Sequence, residues 1–233
     1  MAKKVLLCGE GPTDYGQPIY GSTGWEEGPL QPIIRKSVHV EIEFDCVTKQ
    51  EVKEKRIQGR HKVQGHGVKA YKLCRIAEDR GAVDHIICYV DADRDAASTT
   101  SRRDFGKRVN ELYSEIRDGF EKFSEERGRS SIPMIALKMI ESWLLSDETA
   151  FARCFNSPPT NPGLPQQPEL IWGDKGDPTS NYPKNYLQRV LKQYGIEGNR
   201  GVYKEIAEYI DINELRNKCS ISFERFYIDI QII

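Results

Sequence analysis

The sequence has no long hydrophobic run: none of its apolar stretches approaches the roughly 18 residues that a membrane-spanning helix needs. Its first residues also lack the long apolar segment and the small-residue cleavage site of a secretory signal peptide. These absences argue against a membrane-spanning or secreted class of protein. We therefore expect a cytoplasmic protein with no membrane partner.

Paired cysteines are also missing. The six cysteines are scattered without a C-x-x-C pair, which is the spacing typical of zinc sites. Two of them fall inside apolar, strand-like runs, where a thiol behaves as a small buried hydrophobic group. The sequence therefore indicates neither a zinc site nor a disulfide framework.

An excess of charge of one sign is absent as well. The chain has 34 basic and 35 acidic residues and a net charge of -1, so the field of the whole molecule does not favour binding to a polyanion. Nucleic-acid binding must then be local, and between Lys49 and Lys72 eight Lys or Arg residues stand against two Glu residues. The alternative is a solvated loop whose lysines only maintain solubility. The predicted nucleic-acid contacts are Arg56, Arg60, Lys62 and Lys69.

Strand and helix patterns alternate along the first two thirds of the chain. Hydrophobic residues make up 38% of the 233 residues, enough for one main core. Continuous or alternating apolar residues predict strands at 5–8, 38–47, 85–90 and 132–137. Apolar residues three and four apart predict helices at 25–36, 67–80, 102–127 and 141–155. This order predicts an α/β fold: a mostly parallel sheet with helices on both faces.

The alternation stops near residue 155, and we predict three parts of the chain. Residues 1–155 form the α/β domain, and residues 156–183 form a Pro- and Gly-rich loop that is long for a compact domain. Residues 184–233 read as short helices with no strand between them. We expect this segment to be a small C-terminal helical appendage packed on the sheet domain.

Acidic residues follow three of the predicted strands. Glu10 and Asp14 come after the first strand, Asp91 and Asp93 come after 85–90, and Glu141 comes after the last. Because the carboxyl ends of parallel strands share one edge of a sheet, these side chains are expected to lie together. Crowded carboxylates repel each other unless a divalent cation neutralises them, which predicts a Mg²⁺ or Mn²⁺ site. Taken singly, each motif could instead be a turn, a helix cap or a solvated loop.

Two of these segments, VLLCGEGPTD and IICYVDADRD, resemble the Toprim domain of topoisomerases, primases and OLD-type nucleases. The signature of that domain is a Glu after the first strand and a D-x-D after a later strand. The later segments IALKMIESWLLSD, YPKNYL and YKEIAEYIDINELRNKCSISFERF are similar to a bacterial family with a Toprim-like core. That family is often encoded beside an SMC-like or ABC-type ATPase and is associated with phage defence. The resemblance covers nearly the whole chain.

The resemblance implies a Rossmann-like Toprim fold and a metal-dependent nuclease. Its partners would be nucleic acid, DNA more than RNA, and an ABC- or SMC-like ATPase, with a possible homo-oligomer. Glu10, Asp91 and Asp93 would bind Mg²⁺ or Mn²⁺, while Asp14 and Glu141 would complete a second site. Two ions of this kind activate water and stabilise the leaving oxygen of a phosphodiester.

The same resemblance implies the catalytic residues. They would be Glu10, Asp91, Asp93 and a late lysine near the phosphate, for which Lys184 matches best and Lys138 is the alternative. Glu10 could equally serve as the general acid or base, as in the topoisomerase branch.

Two other functions stay open. One is a non-catalytic Toprim-like module that binds nucleic acid or an ATPase as a scaffold. The other is a haloacid-dehalogenase-like phosphatase, because D-x-D and the later segment 173–177 echo the acidic motifs of that group. The phosphatase interpretation leaves Glu10 and Asp14 unexplained, and Asp95 stands where that group usually has a small hydroxyl residue.

Trp143, His61 and His66 are predicted to have no role in the chemistry. Trp143 lies on a helix face that would pack on the sheet, which favours core packing over base stacking. The two histidines lie in the glycine-containing basic segment, and we expect their side chains to make no functional contact. Gly65 and Gly67 flank His66 and give only a weak signal for an anion cradle.

Overall fold

The computed structural model describes residues 2–57, 63–92, 105–124 and 130–233. Its strands are β1 (Lys3–Cys8), β2 (Gln17–Pro18), β3 (Trp25–Glu26), β4 (Ile42–Cys46), β5 (His85–Asp91) and β6 (Ser130–Ala136). Its helices are α1 (Pro12–Tyr15), α2 (Leu30–Lys36), α3 (Lys49–Glu54), α4 (Gly67–Arg80), α5 (Phe105–Ser124), α6 (Ile140–Leu144), α7 (Glu148–Phe155), α8 (Pro183–Lys192), α9 (Arg200–Tyr209), α10 (Ile212–Lys218) and α11 (Phe223–Ile230). A short 3-10 turn, Pro168–Leu170, lies between α7 and α8.

Four of these strands form a parallel sheet in the order β4-β1-β5-β6. β1 is an inner strand: Leu7 is in register with Cys46 on one side and with Ile87 on the other. Its apolar run is buried, as expected for a parallel strand that helices cover on both faces. β5 pairs with β6 as far as Asp91 and Ala136, so the carboxyl ends of the strands lie along one edge.

Helices cover both faces of the sheet. On one face, α4 and α5 bury their apolar residues against Leu6 and Cys88. On the other face, α2 and the helices from α6 onward pack against Leu7, Tyr89 and Met134. Successive strand residues point to opposite faces, which explains why Leu6 and Leu7 belong to different clusters. The predicted α/β class, with a parallel sheet between two helical layers and helices at the C-terminal end, is confirmed.

The C-terminal helices share their core with the sheet. Leu187 of α8, Tyr203 of α9 and Phe223 of α11 are buried in the same cluster as the strand residues. Trp143 lies fully buried at the centre of this layer, with its ring centroid 5.0 Å from that of Phe223 and 6.2 Å from that of Tyr89. The prediction that Trp143 packs in the core is confirmed.

Two predicted helices have different bounds. The first was predicted over 25–36, but Trp25–Glu26 pairs with β2 and α2 begins only at Leu30. Pro29 precedes this helix, and Gly28 packs against the Asp14 backbone so closely that an added Cβ would lie 2.4 Å from the Asp14 carbonyl oxygen. The apolar spacing across this point therefore did not reflect one continuous helix.

The helix predicted over 141–155 is divided into α6 and α7. Asp147 causes the division, because it accepts a hydrogen bond from the Thr149 backbone amide at 2.8 Å and so caps the start of α7. The strand predicted over 38–47 is also shorter, since only Ile42–Cys46 pairs with β1. Val40 is 41% exposed, so the alternation of 38–41 precedes the paired segment.

All six cysteines lie in the described ranges and are free thiols, which agrees with the absence of a predicted disulfide framework. None of the helices in those ranges combines the length and the apolar character that crossing a bilayer requires.

Candidate functional site at the carboxyl edge of the sheet

Asp14 organises the loop that follows β1. Its Oδ2 atom accepts hydrogen bonds from the backbone amides of Gly11 at 2.8 Å and Glu10 at 3.1 Å. At the start of the loop, Gly9 lies against the Tyr15 ring, where an added Cβ would be 2.3 Å from Cδ1. The buried Asp14 carboxyl group thus closes a tight turn and holds Glu10 at the edge of the sheet.

Two lysines hold the Glu10 side chain. The Lys69 ammonium donates to Glu10 Oε1 at 3.2 Å, and it also donates to the Gly9 carbonyl at 2.9 Å and the Tyr89 carbonyl at 2.7 Å. The Lys49 ammonium lies 3.5 Å from Glu10 Oε2. Although burial by itself lowers the pKa of Lys69, the neighbouring Cys88 and Cys8 thiols and the Glu10 carboxylate raise that pKa above its usual value. Lys69 therefore joins the ends of β1 and β5 and orients Glu10.

Asp91 ends β5 among other acidic groups. It accepts a hydrogen bond from the hydroxyl of Tyr89, two residues earlier on the same face of the strand. Burial raises the pKa of Asp91 well above its usual value, and the negative charges of Asp14, Glu141 and Glu10 raise it further. The hydrogen bond from Tyr89 opposes this rise.

The pKa of Asp14 shows the same crowding. Burial raises it from 3.8 to about 6, and the charge of Glu10 adds to the rise, while the backbone hydrogen bonds from Gly11 and Glu10 oppose it. Glu141, buried in the first turn of α6, raises the pKa of Asp91 and of Tyr89. The structure thus brings four of the five predicted metal ligands into one electrostatic cluster at the carboxyl edge of the sheet: Glu10, Asp14, Asp91 and Glu141.

The side chains of the acidic cluster offer only carboxylate oxygens, which are the ligands that a hard divalent cation prefers. Within the described residues, Asp14 keeps Oδ1 and Asp91 keeps Oδ2 without a hydrogen bond. Across those same ranges, no group of three or more His, Cys, Asp or Glu side chains has an arrangement that could hold a metal ion. Asp93, the fifth predicted ligand, lies outside the described residues.

The predicted lysines lie in different surroundings. Lys184 is exposed in the first turn of α8 and makes no hydrogen bond or ion pair with a described residue. Lys138, the alternative, is buried with a left-handed backbone (φ 72°), and its ammonium lies 4.0 Å from the centre of the Trp172 ring. Of the predicted nucleic-acid contacts, Lys69 is turned toward Glu10 and the strand carbonyls rather than toward solvent.

Of the other three predicted nucleic-acid contacts, only Arg56 lies within the described residues. Arg56 is exposed after α3, and Arg60 and Lys62 lie outside the described residues, as does His61.

The segment 173–177, which suggested a phosphatase, does not join the acidic cluster through its hydrogen bonds. Asp174 and Asp177 are exposed and each accepts a backbone hydrogen bond within its own turn, at 2.8 Å.

Sequence reasoning missed Tyr89 and Lys49 as parts of the site. The sequence spacing contained the signal for Tyr89. Side chains two residues apart on a strand share a face of the sheet, and Tyr89 precedes Asp91 by two. Lys49 opens α3, a helix that the basic composition of its segment concealed. Its position beside Glu10 follows from the pairing of β1 with β4, the strand that leads into α3.

A family model described as "Domain of unknown function (DUF4276)" matches residues 26–231. The matched segment includes Asp91 and Glu141, and it begins after Glu10 and Asp14. Comparisons with curated proteins and with solved structures gave no significant match.

Proposed function

The chain belongs to the DUF4276 family, whose description names no activity, and from the site itself we propose that the protein is a metal-dependent nuclease. It would cleave the phosphodiester bonds of nucleic acid. The observation that carries this proposal is electrostatic: at the carboxyl edge of the sheet, the charges of Asp14, Glu141 and Glu10 add to the effect of burial in raising the pKa of Asp91. Such a group of mutually repelling carboxylates is stabilised by a divalent cation.

In this proposal, Asp14 and Asp91 supply oxygens to Mg²⁺ or Mn²⁺, with Glu141 and Asp93 as further candidates. The cation, when bound, would stabilise negative charge on the phosphate and lower the pKa of a water. Tyr89 fixes the direction of the Asp91 carboxylate by donating to one of its oxygens. Lys69, on α4, fixes Glu10 in the same way by donating to Oε1, so both acidic side chains are held before a substrate arrives.

We further propose that the nuclease acts in the cytoplasm on DNA more than RNA, with an ABC- or SMC-like ATPase in phage defence. The support is the resemblance of GEGPTD and DADRD to Toprim motifs. The near-zero net charge also supports a partner, because the field of the whole molecule does not attract nucleic acid.

The test is cleavage of plasmid and single-stranded DNA by the purified protein, with and without the ATPase, in Mg²⁺ or Mn²⁺. We expect Asp91→Asn to lower the rate by about 100-fold or more, as removal of one charged stabilising group at an active site typically does. The matched control is Asp118→Asn on α5, where the exposed carboxylate only pairs with Lys122. Cleavage that is equally fast in Asp91→Asn and the control would refute the proposal.

A second candidate is a non-catalytic module that binds nucleic acid or an ATPase. Two observations favour it: the described residues do not form a three-ligand metal group, and both Glu10 oxygens are paired with lysines. Calorimetric titration with Mn²⁺ separates the two candidates. A nuclease must bind Mn²⁺ in a manner that depends on Asp91, whereas a scaffold need not.

A further inference from the structure

A cleft of about 470 Å³ lies beside Glu10. It runs between α3 and the beginning of α4. Its apolar wall consists of Cys8, Val52 and Val68. The volume falls within the roughly 300–1,000 Å³ of small-molecule sites. The cleft is therefore large enough for a small ligand and partly apolar in character.

The rim of this cleft is strongly basic. Four lysines, Lys49, Lys53, Lys69 and Lys72, line it, with Glu10 as the acidic residue among its lining side chains. Since Lys69 is committed to Glu10 and the strand carbonyls, the other three lysines are the ones available to a ligand.

Those three lysines have different environments. Lys49 is 59% exposed and approaches Glu10 from the mouth of the cleft. Lys72 donates to the Lys53 carbonyl at 3.2 Å, which ties α4 to α3 at the other end. The Lys53 ammonium has no carboxylate partner among the residues that the structure describes. The cleft thus offers an apolar wall together with the positive charges of Lys53 and Lys72, which no carboxylate among the described residues pairs with.

We propose that this cleft binds one unpaired nucleotide of the substrate, with its base on the apolar wall and its phosphate against Lys49, Lys53 and Lys72. A nucleotide combines the two properties that the cleft requires, because it joins a flat, weakly polar base to an anionic phosphate. A stacked base pair is too large for such a cleft, so the nucleotide must first leave the duplex or belong to a single strand. The inference deepens the proposed nuclease function and rests on it for the identity of the substrate: single-stranded or unpaired nucleic acid.

The experiment measures the binding of deoxyadenosine monophosphate to the full-length protein in EDTA, by calorimetry or by ligand-observed NMR. We expect binding that is at least tenfold tighter than that of inorganic phosphate, because the phosphate ion cannot use the apolar wall. The double variant Lys53→Ala and Lys72→Ala is expected to weaken nucleotide binding by about tenfold or more, through loss of charge-assisted contacts. Val68→Trp, which fills the cleft, is expected to abolish it.

A matched variant serves as the control. Lys192→Ala removes an exposed lysine from α8, far from the cleft lining in sequence, and should leave nucleotide binding unchanged. Circular dichroism of each variant shows whether it is folded, and the lysine variants decide the question if Val68→Trp does not fold.

The outcomes separate this inference from the nuclease proposal. Equal affinities for phosphate and nucleotide, or a lysine double variant that binds as tightly as the wild type, would overturn the nucleotide site. Metal-dependent cleavage without nucleotide binding would overturn the cleft alone. Nucleotide binding without any cleavage would support the cleft and refute the nuclease.

Discussion

Two carboxyl groups with raised pKa values, Glu169 and Asp91, have opposite surroundings in this molecule. Glu169, beneath the C-terminal helices, is 1% exposed and accepts hydrogen bonds from the backbone amides of Ile221 at 2.9 Å and Ser222 at 3.2 Å, and from the Ser222 hydroxyl. Asp91, at the edge of the sheet, accepts from Tyr89 and otherwise faces negative charges. Burial raises the pKa of both groups. Hydrogen-bond donors limit the rise in pKa of Glu169, whereas acidic neighbours increase the rise in pKa of Asp91.

The comparison separates a structural carboxylate from one for which we propose a function. The Ser222 hydroxyl that donates to Glu169 also accepts from the Leu137 amide at 3.1 Å and from Trp143 Nε1 at 3.0 Å. Glu169 therefore completes a network that joins α11 to β6 and α6. Asp91, by contrast, accepts a hydrogen bond only from Tyr89 among the described residues, and that is what directs attention to a cation there.

Removing the structural carboxylate should have the largest effect. Glu169→Ala leaves two buried backbone amides and the Ser222 hydroxyl without their acceptor, and we expect the free energy of unfolding to fall by about 3 kcal/mol. Urea denaturation measures this loss. Glu197→Ala, an exposed glutamate, is the matched control and should change stability by less than about 0.5 kcal/mol. Similar values for the two variants would show that the Glu169 network is not structural.

The pH dependence of stability should follow the titration of Glu169 and Asp14. Burial raises the pKa of Glu169 to about 7 and that of Asp14 to about 6, so the folded protein binds these protons more tightly than the unfolded chain. The free energy of unfolding should therefore be larger at pH 5 than at pH 8, by roughly 2–3 kcal/mol, and should fall as the pH rises through 6 and 7. Urea denaturation without divalent ions at several pH values measures it.

A matched variant separates the contribution of Asp14 to this pH dependence from that of Glu169. Asp14→Asn keeps an oxygen that can accept from Gly11 and Glu10 but cannot titrate, so its stability should change less between pH 5 and 8 than that of the wild type. A wild-type protein that becomes more stable toward pH 8 would contradict the direction predicted here.

The smallest effect is expected from replacing Asp91. Asp91→Asn removes one charge from the acidic cluster and keeps an oxygen that can accept from Tyr89, so it should stabilise the protein by about 1 kcal/mol at pH 8 without divalent ions. Thermal and urea denaturation would measure this gain. A loss of stability as large as that of Glu169→Ala would make Asp91 a structural residue and remove the contrast between the two groups.

Much of the fold follows from apolar pattern alone. The run at 85–90 was unbroken and corresponds to β5, because a parallel strand covered on both faces has no polar alternation. The patterns failed where one residue interrupts an otherwise regular spacing. Asp147 caps a new helix within an apolar sequence, and Pro29 delays the start of α2, so neither interruption changes the spacing of hydrophobic residues.

The acidic part of the site was predictable for the same topological reason. Asp91 ends β5, and Glu10 and Glu141 follow β1 and β6. Parallel strands place such residues at one edge of the sheet. The role of Lys69 was not predictable from composition, since a lysine in a basic segment usually points to solvent. Only the packing of α4 against the sheet brings its ammonium to the carbonyls of Gly9 and Tyr89.

The three bonds of Lys69 have a consequence for engineering. Because one ammonium bridges the Gly9 and Tyr89 carbonyls near the ends of two adjacent strands, the two strand ends would stay joined if a designer exchanged Glu10 or Asp91 for new chemistry at this edge. Exchanging Lys69 would instead release both strand ends and Glu10 together. Lys69 is therefore the residue to keep constant in any library built on this scaffold.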